Sequence, residues 1–79
     1  MAHTEWKFDR ARLATFRELM NLSSEDVARA LKLTRKTINN WEAGKTAPTV
    51  VQLCQLANQY NVDPTSFFVQ SSSLPGGKS

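Results

Sequence analysis

Five polar side chains lie close together in the middle of the chain. They are Arg35, Lys36, Thr37, Asn39 and Asn40, in the segment TRKTINNWEAG at residues 34–44. On a helix with about 100° per residue, Lys36 and Asn40 lie at the centre of one face. Ile38 and Trp41 lie on the opposite face. Arg and Lys can donate to guanine O6 and N7, and Asn can pair with adenine N6 and N7, so this polar face suits the major groove of DNA.

The remaining members of the set lie at the edges of this face. Arg35 and Asn39 flank its centre and can still reach past a DNA backbone. Thr37 can contact a base only through its methyl or hydroxyl group. Asn39 can equally be a solvated surface residue, and the sequence leaves both interpretations open.

Two short helices joined by a tight turn are predicted over residues 23–44. Ser23 and Thr34 can each accept a hydrogen bond from an amide in the first turn of a helix. Apolar residues recur at helical spacing in both helices: Val27, Ala28 and Leu31, then Ile38 and Trp41. Gly44 suits the left-handed residue that ends a helix, and Pro48 prevents its continuation.

Positive charge is concentrated over the same helices. The 79 residues have a formal net charge of +3. Residues 29–45 carry five cations and one anion: Arg29, Lys32, Arg35, Lys36 and Lys45 against Glu42. An ordinary solvated surface can carry the same number of cations. Because these cations fall on the two predicted helices, they favour a binding site for a polyanion.

The segment resembles the helix-turn-helix of the Cro and phage-repressor type, often called the XRE-like family. The resemblance runs from about residue 13 to residue 68 and rests on the polar opener, the Val27 and Ala28 pair, the turn, the Thr34 to Ile38 spacing and the exit WEAG. It implies a compact five-helix, lambda-repressor-like DNA-binding domain, with the motif at its second and third helices.

The resemblance also implies roles for individual residues. Base reading falls to Arg35, Lys36 and Asn40, and contacts to DNA phosphates fall to Ser24, Lys45 and Thr46. Arg17 and Glu42 correspond to a partly buried ion pair that holds two helices in register. Two alternatives without a functional role stay open. Lys45 can be a free surface lysine, and Arg17 and Glu42 can be unrelated surface charges.

Two positions depart from the family pattern. Ser24 stands where a longer Gln commonly contacts a phosphate. Lys32 stands in the turn where Gly is common, which should cost about 1 kcal/mol if the backbone is left-handed there.

Helical patterning predicts an all-α domain at residues 9–69, between a lead-in at residues 1–8 and a flexible tail at 70–79. Asp9 is expected to cap the first helix, and Thr49 is expected to cap a fourth helix. Asp63 is expected to cap a short fifth helix that has Pro64 at its first position. The expected inward residues are Leu13, Phe16 and Met20, with Leu19 beside them, and Leu53, Leu56, Ala57 and Tyr60. No alternating, strand-like run is identified.

The sequence offers no catalytic or metal-binding constellation. His3 is the single histidine and Cys54 the single cysteine, so no His-based acid/base pair, His/Cys metal site or internal disulfide can form. Cys54 is expected to be a small buried hydrophobe. No signal peptide or membrane-spanning run is recognised, so a cytoplasmic protein is predicted. The lack of a catalytic constellation predicts no enzyme activity and no cofactor, and the family resemblance implies a bacterial or phage origin.

Two classes of function follow. The first is a sequence-specific transcriptional regulator, a Cro-like or phage/plasmid-type repressor, that binds a pseudo-palindromic double-stranded DNA operator as a homodimer. The second is an antitoxin or adaptor that uses the same fold chiefly to bind a protein. Phe67, Phe68 and Val69 are the dimer candidates, unless Phe67 and Phe68 complete the monomer core. Trp6 and Phe8 either cap that core or form an arm or dimer contact.

Overall fold

Four α-helices and two strands form the described part of the chain, residues 4–72 of a computed structural model. In chain order the elements are β1 (Thr4–Phe8), α1 (Ala11–Leu19), α2 (Ser24–Leu31), α3 (Arg35–Ala43), α4 (Val50–Tyr60), a 3-10 helix (Pro64–Phe67) and β2 (Phe68–Ser72). α2 packs on both α3 and α4, and α1 packs on α3. The mostly helical fold built around a helix-turn-helix is as predicted.

The predicted starts of α2, α3 and α4 are confirmed by local hydrogen bonds, whereas the residue at the cap position of α1 is Arg10 and not Asp9 as predicted. Ser23 Oγ accepts from the Asp26 amide at 3.0 Å, and the Asp26 carboxylate accepts from the Ser23 amide at 2.9 Å. The amide and hydroxyl of Ser23 thereby hold the pKa of Asp26 below its ordinary value. Thr49 begins α4 with the same reciprocal arrangement. Thr34 Oγ1 accepts from the Thr37 amide at 3.3 Å, which starts α3.

One core lies between the helices. Its buried residues are Leu13, Val27, Ala28, Ile38, Trp41, Leu53, Leu56, Ala57, Tyr60 and Phe67. The ring of Phe67 is fully buried, with its centroid 5.7 Å from that of Phe16 and 6.2 Å from that of Tyr60. The 3-10 helix thus packs against both α1 and α4.

The predicted short fifth helix is a single turn of 3-10 helix and not an α-helix, and the expectation of no strands is wrong. Asp63 does cap the segment that begins at Pro64, but the backbone becomes extended at Phe68 after one turn. β2 then pairs antiparallel with β1, with Phe8 opposite Phe68 and Trp6 opposite Gln70. β1 therefore lies in the predicted lead-in, and β2 spans the predicted boundary at residue 69.

Three predicted core residues are exposed. Leu19 is the last residue of α1 and Met20 follows it. Their side chains are 73% and 43% exposed. Cys54 is also exposed, because the stripe that α4 buries contains its sequence neighbour Leu53 instead. One turn of helix separates inward positions by three or four residues, so adjacent residues diverge by about 100°.

Some predictions fall on residues outside the described part of the chain. His3 and residues 73–79, which form most of the predicted tail, belong to this group. Within residues 4–72, no helix is both long enough and apolar enough to cross a membrane. In the same range, no three side chains of the types that ligate metals lie together.

Candidate nucleic-acid interface

The outward face of α3 carries the predicted base-reading side chains. Ile38 and Trp41 fix the opposite face in the core, with 1% and 4% of their surface exposed. Arg35, Lys36 and Asn39 are exposed, while Thr37 and Asn40 are half-buried. The Thr37 hydroxyl lies within hydrogen-bond distance, 3.0 Å, of the Thr34 hydroxyl, which leaves its methyl group as the freer part. The structure therefore brings all five residues onto one short helix with an apolar back.

The turn between α2 and α3 sets the angle at which α3 is presented. Lys32 ends α2 in the left-handed region, with φ 59°, as the departure from Gly had suggested. The Leu33 amide donates to the Ala28 carbonyl at 2.8 Å, which closes the turn. Ala28 is a buried residue of α2, and α2 packs on α3. A small side chain there allows the two helices to approach closely.

Arg17 and Glu42 join α1 to α3 through a bidentate ion pair. Arg17 Nε donates to Glu42 Oε2 at 2.7 Å, and Arg17 Nη2 donates to Glu42 Oε1 at 3.2 Å. Each side chain is 14% exposed. A third hydrogen bond, 2.8 Å long, runs from Arg17 Nη1 to the Leu22 carbonyl. The hydrogen bond with Glu42 raises the pKa of Arg17, and the ion pair holds α3 against α1.

The exit of α3 presents Lys45 and Thr46 to solvent. Gly44 ends the helix with φ 80°, and the amides of Lys45 and Thr46 donate to the Asn40 carbonyl at 2.9 and 3.4 Å. These bonds fix the direction of the chain as it leaves the helix. Ser24, the third predicted phosphate contact, is half-buried at the first residue of α2.

The cations over the motif differ in how free they are. Arg29 lies near the acids of its own helix, 3.5 Å from Asp26 and 3.9 Å from Glu25. The other predicted cations have no ion-pair partner among residues 4–72: Lys32, Arg35, Lys36 and Lys45. Positive charge is thus available on α3 and at both of its ends.

The dimer candidates separate into buried and accessible residues. Phe67 is fully buried in the monomer core, which removes it from any contact between subunits. Phe68 and Val69 are half-buried, and the Phe68 ring lies 5.8 Å from that of Phe8. Trp6 is 59% exposed instead of capping the core. A shallow depression of about 330 Å³ lies between Trp6, Phe68 and Thr65.

Sequence reasoning gave no role to Arg10, whose side chain lies across Gly44 at the exit of α3. The contact joins positions 34 residues apart, and no local spacing signals it.

A family model described as helix-turn-helix matches residues 13–67, which is more than half of the chain. No curated protein and no solved structure shows significant similarity to the chain. The matched residues include the two capped helices, the left-handed turn at Lys32 and the exit at Gly44. The chain therefore belongs to the Cro/XRE-type helix-turn-helix family, a family of DNA-binding domains and not of enzymes.

Proposed function

We propose that this protein is a sequence-specific transcriptional regulator, a Cro-like or phage/plasmid-type repressor that inserts α3 into the major groove of an operator. The observation that carries the proposal is the two-sided character of α3. Its back is fixed by buried Ile38 and Trp41 and by the ion pair at Glu42, while Arg35 and Lys36 are exposed without ion-pair partners in residues 4–72. A rigid helix with free donors on one face suits base recognition.

Base contacts and backbone contacts have separate roles in this proposal. Arg35 and Lys36 donate to guanine O6 and N7, and Asn40 pairs with adenine. Thr37 contributes its methyl group, and Asn39 lies at the edge of the contact. Ser24, Lys45 and Thr46 bind phosphates on either side of the groove and set the register without reading sequence.

Repression would follow from occupancy of the operator by two subunits. One recognition helix covers few base pairs, so a dimer that presents two helices about 34–36 Å apart lengthens the site to a pseudo-palindrome. Phe68, Val69 and the exposed Trp6 are the candidates for the contact between subunits. Such a contact would be two-fold symmetric, with the same patch on each chain. This regulator would act in the cytoplasm of a bacterial or phage-infected cell.

Selection of bound sites from a pool of random duplex DNA tests the proposal. The wild type should enrich a pseudo-palindromic sequence, and Lys36→Ala and Asn40→Ala should each change the preferred base at one position of each half-site. Lys7→Ala and Asn58→Ala remove the same side-chain types at exposed positions outside the motif, so they serve as matched controls and should recover the wild-type sequence.

Two results would count against this function. Recovery of the wild-type sequence by both α3 variants would show that the reading face is wrongly assigned. Failure of the wild type to enrich any sequence, with the domain folded, would reject sequence-specific DNA binding itself and favour a protein-binding role.

A further inference from the structure

We propose that Arg10, which lies outside the helix-turn-helix, is a further DNA phosphate contact beside Lys45 at the exit of α3. This inference rests on the proposed function, since it adds a backbone contact to the same DNA-binding surface. It concerns affinity and register and not the choice of bases.

The packing of Arg10 on Gly44 places its charge. A methyl group at Gly44 would collide with the guanidinium, since its carbon would lie 2.6 Å from Arg10 Cζ. The absence of a side chain at Gly44 thus does two things. It permits the left-handed backbone with φ 80°, and it leaves room for a planar guanidinium over the backbone.

The residues on either side of Arg10 make hydrogen bonds and an ion pair, whereas the Arg10 side chain makes neither among residues 4–72. The Asp9 amide donates to the Phe67 carbonyl at 2.8 Å. Arg12 Nε lies 3.5 Å from the Asp9 carboxylate, and Arg12 Nη1 donates to the Ser66 carbonyl at 2.9 Å. Arg10 starts α1 without a side-chain capping bond and has no ion-pair partner among residues 4–72. The backbone is therefore fixed while the guanidinium keeps its donors free.

Arg10 and Lys45 face the same hollow. A depression of about 330 Å³ has Arg10, Gly44, Lys45 and Thr46 in its wall, and the apolar residues Phe8, Trp41 and Ala47 complete that wall. No acidic residue of the described chain lines it. Two unpaired cations and a hydroxyl residue around one hollow favour an anion with several acceptor oxygens. A guanidinium binds such an anion with two parallel hydrogen bonds, which suits a phosphodiester.

The hollow lies at the exit of α3, and this position favours the DNA backbone as the source of that phosphate. Lys45 follows directly on the exit of α3, and the amides of Lys45 and Thr46 are tied to the Asn40 carbonyl of that helix. When α3 lies in the major groove, its end comes close to a strand of the backbone. Arg10 then extends the phosphate contacts from the motif to the start of α1.

The salt dependence of binding to a mixed-sequence DNA duplex, measured by fluorescence anisotropy, tests this inference. Arg10→Gln should reduce the slope of log K against log salt by about 0.9, because one phosphate contact is lost. The affinity ratio of wild type to variant should therefore shrink about 3.5-fold between about 50 and 200 mM salt. Arg10→Lys keeps the charge and should keep the wild-type slope.

Lys7→Gln is the matched control. It removes the same charge three residues earlier, and side chains alternate along a strand, so Lys7 lies on the face of β1 opposite to Phe8, which lines the hollow. Its slope should equal that of the wild type. Thermal melting of each variant shows whether the domain is folded.

The outcomes separate this inference from the proposed function. If the folded wild type binds no duplex even at low salt, the proposed function fails. If the wild type binds and Arg10→Gln keeps the wild-type slope, only the role of Arg10 is rejected. An equal loss of slope in Lys7→Gln or in Arg10→Lys would also reject it, because the effect would not depend on a charge at this position.

Discussion

Replacement of Arg17 by Met should destabilise the domain strongly, because it breaks a largely buried ion pair. The substitution keeps much of the aliphatic stem but removes three hydrogen bonds, two to Glu42 and one to the Leu22 carbonyl. Glu42, 14% exposed, would then be left in the protein without its ion-pair partner. Loss of one partner of a buried pair costs about 3–5 kcal/mol, a large part of the stability of a small domain.

Urea unfolding at neutral pH measures this cost, and a double-mutant cycle identifies its source. Glu42→Leu alone should also destabilise, since Arg17 would keep only its hydrogen bond to the Leu22 carbonyl and a 3.9 Å contact with the exposed Glu18. The double variant Arg17→Met/Glu42→Leu should recover much of the loss, because two apolar side chains leave no uncompensated charge. Arg29→Met is the control: its side chain is 70% exposed, so the unfolding midpoint should hardly move.

The pH dependence gives a second check. The raised pKa of Arg17 means that the folded state holds this proton more tightly than the unfolded state. Its contribution is therefore present below the ordinary arginine pKa and is lost only as the pH rises above it, so it should be constant between about pH 5 and pH 9. A loss of less than about 1 kcal/mol in Arg17→Met, or an additive double variant, would refute the buried-pair argument.

Three other perturbations test parts of the fold. Lys32→Gly should raise the free energy of unfolding by up to about 1 kcal/mol, since glycine adopts φ 59° without strain; a lower melting temperature would contradict this. Burial, with a smaller effect of the Glu42 charge, raises the pKa of Tyr60 in the folded state, so stability is fully present below the ordinary tyrosine pKa of about 10 and should fall as the pH rises above it. The decline should be smaller in Tyr60→Phe, and an unchanged profile would exclude Tyr60 as its source. Trp6→Ser, at a 59% exposed position, should leave the melting temperature unchanged but weaken cooperative binding to a full operator; cooperativity equal to wild type in a binding titration would exclude Trp6 from the dimer contact.

The helix-turn-helix was predictable because its signals are local. The capping hydroxyl of Ser23 and the amide it binds are three residues apart. The apolar residues of each helix recur at helical spacing: Val27, Ala28 and Leu31 in α2, and Ile38 and Trp41 in α3. Each of these features needs only one or two turns of chain to be read. The left-handed turn at Lys32 was expected only from the family resemblance, in which Gly is common at this position.

The two-stranded sheet could not be predicted in the same way. Trp6 and Phe8 alternate with Lys7, but five residues are too few for an alternating pattern to stand out, and their partners lie at the other end of the described chain. The exposure of Cys54 was within reach, since α4 buries Leu53, Leu56, Ala57 and Tyr60 at helical spacing and leaves the adjacent residue outside it.

The candidate site also combines features that local sequence signals predict with features that depend on the folded chain. The proposed reading face follows from the period of α3, whereas the position of Arg10 depends on a contact with Gly44 that only the folded chain creates. The Arg17 and Glu42 pair joins residues 25 positions apart and was accessible only through family resemblance, because no local rule connects them.

The register of the two strands has a mechanical consequence. Thr4 lies opposite Ser72, so the two ends of the described chain are neighbours, about 4.5–5.5 Å apart at their Cα atoms. Tension applied between these ends acts across the strands and loads their hydrogen bonds one after another, as in a zip, instead of loading all of them together in shear. The sheet should therefore open at low force while the helices stay folded, with the bond from the Asp9 amide to Phe67 as the next point of resistance. A domain of this shape yields first at its joined ends, and the buried core is not strained until they have separated.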